Sequence, residues 1–93
     1  MTPELKEYLL NYVLDRLPEM TEKAKSIKNI KSDFVDFPFY INGVIDTLTW
    51  DVVNQKFISA TFQIADTEKE ITLADWLENA VYCKKVKHIT IEL

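Results

Sequence analysis

Phe34-Val35-Asp36-Phe37-Pro38-Phe39-Tyr40-Ile41-Asn42-Gly43-Val44-Ile45-Asp46-Thr47-Leu48-Thr49-Trp50-Asp51-Val52-Val53 reads as two strands joined by a two-residue turn. Asn-Gly between β-branched and aromatic runs is a strong hairpin signal, because both turn positions need positive φ. A turn at Asn42-Gly43 sets Phe37 opposite Leu48 and Val35 opposite Trp50. Val35, Phe37, Phe39 and Ile41 then share a face with Val44, Leu48, Trp50 and Val52, so register and apolar pattern agree. Pro38 cannot donate to a ladder, which makes the first strand an edge. The same register puts Asp46 on the apolar face, near a sheet end where it is expected to be solvated; buried, it would need a partner.

Downstream, residues 57–64 alternate as a third strand, with Ile58, Ala60, Phe62 and Ile64 on one side. A two-residue loop at Asn54-Gln55 would turn those four away from Leu48 and Trp50. A three-residue loop over 54–56 would place Ile58 opposite Val52 and Ala60 opposite Trp50, so an odd-length loop or an equivalent bulge is predicted. After an acidic loop at 66–70, Thr72 caps a short helix lined by Leu73, Trp76, Leu77, Ala80 and Val81, with Lys84 and Lys85 at its negative end. Residues 86–93 form a last strand, with Ile89, Ile91 and Leu93 inward and His88, Thr90 and Glu92 outward. A helix between the last two strands favours their parallel pairing if they are neighbours.

Upstream, residues 3 to 30 carry a helical repeat: Leu5, Leu9, Tyr12, Val13, Leu17 and Met20, widened by Tyr8, Leu10 and Leu14. Thr2 is the cap, Pro3 suits the first helical position, and Glu4 complements the positive dipole end. Pro18 removes an amide donor, so a kink or break is expected there. The whole chain is therefore expected to be a single α+β domain over residues 1–93. It has an amino-terminal helix kinked or broken at Pro18, a three-stranded antiparallel meander, a short helix and a final strand. The strands make one mixed or antiparallel four-stranded sheet with helices packed on one face.

Composition narrows the function classes. The 93 residues are 47% hydrophobic and 28% charged, ordinary for a globular domain, and no apolar run approaches a membrane span. The start of the chain has no basic, apolar leader, and Cys83 is the only cysteine, so no disulfide forms within the chain. Together these favour a reducing, cytoplasmic setting. The net charge of −4 argues against general nucleic-acid binding. Lys23, Lys25, Lys28 and Lys31, and Lys84, Lys85 and Lys87 with His88, read as solvated surface balancing nearby acids. The single glycine excludes a glycine-rich phosphate loop.

Chemistry is thinly supported. Cys83 and His88 are the sole thiol and imidazole, too few for a structural zinc site and lacking a third orienting group for nucleophilic catalysis. The acids at 66–70 alternate as in a calcium loop but lack its glycine and its downstream glutamate. No catalytic residue, metal or cofactor is expected. The sheet face away from the helices is expected to carry Tyr40, Ile45, Thr47, Thr49, Phe57, Thr61 and His88. Tyr40, Ile45 and Phe57 are large enough to make a contact patch if they cluster. The resulting expectation is a small acidic, non-enzymatic protein-binding module of adaptor or inhibitor type, working through an open sheet face or an edge strand, with another protein or a second copy as partner. Single-stranded nucleic acid stacked on the sheet aromatics between the lysine clusters is the alternative. A small enzyme using Cys83 and His88 comes last.

Overall fold

The computed structural model describes residues 1–41, 44–67, 69–79 and 85–93. Its elements run α1 (Pro3–Ser26), β1 (Phe34–Ile41), β2 (Val44–Asp51), β3 (Lys56–Ala65), α2 (Leu73–Asn79) and β4 (Val86–Glu92). The strands form one sheet in the order β1-β2-β3-β4 with every neighbouring pair antiparallel. This is an α+β fold with the helices on one face.

α1 begins as its residues require. Thr2 accepts the Leu5 N–H on its hydroxyl at 3.3 Å, and Pro3 sits in the first turn where no donor is needed. The helix then runs through Pro18 as one element, so the expected break is absent. Proline withdraws the donor for the Leu14 carbonyl, and both residues are exposed, so water can serve that group instead. Leu5, Leu9, Val13 and Ala24 lie buried against the sheet, while Leu10, Tyr12, Leu17 and Met20 flank them.

The hairpin register is the one read from sequence: Phe37 pairs with Leu48 and Val35 with Trp50, and Ile41 opposes Val44. The turn residues Asn42 and Gly43 lie outside the described residues. β1 is an edge, as Pro38 requires.

Between β2 and β3 the alignment differs from the three-residue loop. Asp51 pairs with Lys56 and Trp50 with Phe57, then the register shifts, and Leu48 pairs with Ala60. The shift is a bulge, the predicted equivalent of an odd-length loop, with Ile58 as the extra residue. Its position differs from the expected pairing of Ala60 with Trp50, and it has a large effect on one side chain. Phe57 turns onto the helix-covered face, where it is only 7% exposed. The turn that permits this uses Gln55 at φ 56° and the Asp51 carboxylate, which accepts the Asn54 N–H at 3.0 Å and its side-chain amide at 2.7 Å. Those donors hold the Asp51 carboxyl below the usual carboxylate range.

β4 runs antiparallel to β3, correcting the parallel alternative. The Asp66 N–H donates to the Lys85 carbonyl at 2.9 Å, so the chain leaves and re-enters the sheet at the same end. The segment holding α2 is thus an excursion and not a crossover. α2 starts on a reciprocal cap: the Thr72 hydroxyl accepts the Asp75 N–H at 3.1 Å, and the Asp75 carboxylate accepts the Thr72 N–H at 3.2 Å. Ala80, Val81, Cys83 and Lys84 lie outside the described residues. The core joins Trp50, Phe57, Phe62, Leu48, Ala60, Ile64, Trp76 and Ile91 to the α1 stripe. Phe57 stands 4.7 Å from Trp50 and 5.9 Å from Phe37, ring centre to ring centre, and both contacts are edge-on.

Candidate interaction surface

The face turned from the helices is built by strand periodicity alone. Along β1 and β2 it presents Asp36, Pro38 and Tyr40, then Ile45, Thr47 and Thr49; β3 and β4 add Ser59, Thr61, Gln63, His88, Thr90 and Glu92. Register sorts these into rows. Asp36, Thr49, Ser59 and Glu92 form one, and Pro38, Thr47, Thr61 and Thr90 form the next. In the third, Tyr40 opposes Ile45 and Gln63 opposes His88.

Of the seven residues expected here, the structure gathers Tyr40, Ile45 and Thr47 at the hairpin corner. Tyr40 is 63% exposed and Ile45 54%, and they face each other across β1 and β2. Thr49 and Thr61 occupy the middle rows. The Thr49 hydroxyl donates to Asp36 at 2.9 Å, and Thr61 shares a 2.9 Å bond with Thr90. Threonine suits exposed strands, and these bonds tie the strands together without defining a ligand site. His88 is exposed on β4. Phe57 does not belong to the surface: the bulge at Ile58 places it in the core, so the expected three-residue patch reduces to Tyr40 and Ile45. Only the competition between loop length and bulge in the sequence could have shown this.

The two edges of the sheet differ. Val52 N–H donates to the Asp33 carbonyl at 2.9 Å, and the alternation of an antiparallel ladder then turns the main-chain groups of Phe34, Asp36, Pro38 and Tyr40 outward from β1. That edge is blunted. Pro38 has no N–H, and the Tyr12 hydroxyl on α1 donates to the Tyr40 carbonyl at 3.1 Å. Arg16 lies over the Tyr12 ring, 3.4 Å from its centre, and donates to the Tyr12 carbonyl at 3.2 Å.

Asp46 corrects the expectation of a solvated carboxylate. It is 2% exposed on the helix-covered face, and its Oδ1 accepts the Gln63 N–H at 2.7 Å while Oδ2 has no hydrogen-bond partner. Burial pushes its carboxyl up from 3.8 to about 6, against the pull of the Gln63 N–H. Among the described residues, no three His, Cys, Asp or Glu side chains gather to hold a metal ion, and no helix is long and apolar enough to cross a membrane. The Cys83–His88 pairing lies outside the described residues through Cys83.

Comparison with protein-family models, with curated proteins and with solved structures finds no match for this chain.

Proposed function

We propose that this protein is a non-enzymatic protein-binding module whose docking surface is the helix-free sheet face, centred on Tyr40 and Ile45. The observation that carries the reading is that pair: two large side chains, more than half exposed, standing opposite each other on a face that neither described helix covers. Such a pair costs little to order on binding, because the strands already fix both backbones. Pro38 and Thr47 extend it with short, stiff neighbours. The threonine rows beyond supply hydroxyls for a polar rim.

Adaptor or inhibitor activity toward another protein, in a reducing cytoplasmic setting, is part of the proposal. The single cysteine supports that setting, and the acidic charge disfavours a phosphate-backbone partner. The nucleic-acid reading loses support with Phe57, since one of its stacking rings is in the core.

The test is capture of binding proteins by immobilised wild-type chain and by the Tyr40→Ala/Ile45→Ala double variant, each verified as folded by circular dichroism. The reading requires a specific partner retained by the first and lost by the second. Equal retention by both proteins contradicts it.

A further inference from the structure

We propose that the open edge of β4 is a self-pairing surface, on which a second copy of this chain adds its own β4 antiparallel about a two-fold axis at Thr90. This inference is independent of the Tyr40–Ile45 docking reading and uses a different part of the sheet. Its first support is the hydrogen-bond pattern. Asp66 N–H donates to Lys85 at 2.9 Å and Leu93 N–H donates to Ile58 at 3.0 Å, and the register between them is unbroken. In an antiparallel ladder the bonded pairs alternate, so Lys87, Ile89 and Ile91 bond inward to β3. The main-chain groups of Val86, His88, Thr90 and Glu92 therefore point outward. Such a row is a template for another strand unless something blunts it. The β1 edge is blunted twice, by Pro38 and by the Tyr12 hydroxyl; β4 has no proline and no such cap among the described residues.

The second support is self-complementarity. With Thr90 opposite Thr90 of the copy, His88 meets Glu92 and Glu92 meets His88, so an imidazole and a carboxylate face each other twice on the helix-free face. On the other face Ile89 meets Ile91, again twice, extending the apolar layer that already includes both. Every outward group of His88, Thr90 and Glu92 finds a partner, giving about six ladder bonds. Registers shifted by one step along the strand lose the His88–Glu92 pairs. Placing Ile89 opposite itself sets Lys87 against Ile91 and Val86 against Glu92. Placing Ile91 opposite itself leaves little of β4 overlapping. Lys87 meets an apolar residue in both registers, Leu93 with Thr90 on the axis and Ile91 with Ile89 on it, so the two His88–Glu92 pairs select the register.

The experiment is sedimentation equilibrium and light scattering on the full chain over a wide concentration range, with four variants. Glu92→Lys sets a cation against His88 and is expected to weaken the dimer about tenfold, since the carboxylate partner of His88 is lost on both sides of the axis at once. His88→Glu combined with Glu92→Lys restores opposite partners in this register alone and is expected to recover the wild-type association. Thr90→Pro removes an outward donor that β3 does not use and is expected to abolish pairing. Tyr40→Ala/Ile45→Ala is expected to leave it unchanged. A chain that stays monomeric throughout, or a dimer indifferent to Glu92→Lys and Thr90→Pro, overturns the proposal. If the dimer is instead lost with Tyr40→Ala/Ile45→Ala, copies meet through the open face and the edge is not the contact. Glu92 is exposed, so its replacement tests the pairing even where proline disturbs the strand.

Discussion

The Asp46 carboxylate takes the place of a strand carbonyl: its Oδ1 accepts the Gln63 N–H at 2.7 Å, where the continuing register would have offered Ile45. The β2–β3 ladder ends one step earlier, at Thr47 and Thr61. One donor is satisfied by a side chain, and the cost is a carboxylate with one oxygen buried and unpaired.

That cost sets a pH dependence. Unfolded, Asp46 ionises near its ordinary 3.8; folded, at about 6. Well below pH 3.8 both states are protonated and the group has no effect. As pH rises from about 4 through 6 the unfolded chain binds fewer protons than the folded one, so stability falls, by at most about 3 kcal/mol once both states are ionised. Asp46→Asn keeps an oxygen for the Gln63 N–H and cannot ionise. Urea unfolding from about pH 5 to pH 8 is expected to show wild type losing stability relative to this variant. Asp51 and Asp75, both lowered by donors, act with the opposite sign in the acid range below this window. A constant difference between the two proteins would contradict the assignment.

Phe57 and Tyr40 should respond oppositely to truncation. Phe57→Ala removes a ring packed on Trp50 and Phe37 and is expected to cost about 3–5 kcal/mol. Tyr40→Ala leaves the carbonyl that Tyr12 uses and is expected to change stability by about 0.5 kcal/mol or less. Guanidinium midpoints of the two variants decide this, and similar losses would mean the bulge is misplaced.

Tyr12→Phe deletes the hydroxyl that closes the β1 edge. The expected loss is about 0.5–1.5 kcal/mol, since the bond is exposed to solvent. Hydrogen exchange gives the finer readout: amides of the β1–β2 ladder near Ile41 should exchange faster, while those of β3 and β4 should not change.

Gln55 occupies the left-handed region at φ 56°. Glycine adopts it without a Cβ penalty, so Gln55→Gly is expected to stabilise by about 0.5 kcal/mol even after losing the side-chain bond to the Val52 carbonyl. Gln55→Val is expected to destabilise by about 1 kcal/mol or more. Thermal melts should order the three proteins glycine, glutamine, valine.

Much of this arrangement was legible because strand patterns are self-checking. The hairpin follows from Asn42-Gly43 together with two apolar alternations that match only in one register. The caps at Thr2 and Thr72 follow from hydroxyls three residues before a free amide. The position of Phe57 is not legible in the sequence, because the same alternation allows a three-residue loop or a longer loop with a bulge, and only packing on Trp50 separates them. The burial of Asp46 is not legible either, because its partner is the Gln63 N–H, on a strand that the hairpin pattern does not contain. The antiparallel β3–β4 pair depends on where the excursion through α2 returns, a long-range contact at Asp66 and Lys85 that local patterns do not encode.

The claim that the helix-free face binds a partner is tested most directly by a photo-crosslinking amino acid placed at Ile45, compared with one at Val53. Both positions are exposed and apolar, and Val53 lies in the β2–β3 turn, off the proposed surface. The account predicts one protein joined in good yield from position 45 and not from position 53. Equal or absent crosslinking from the two positions would contradict it.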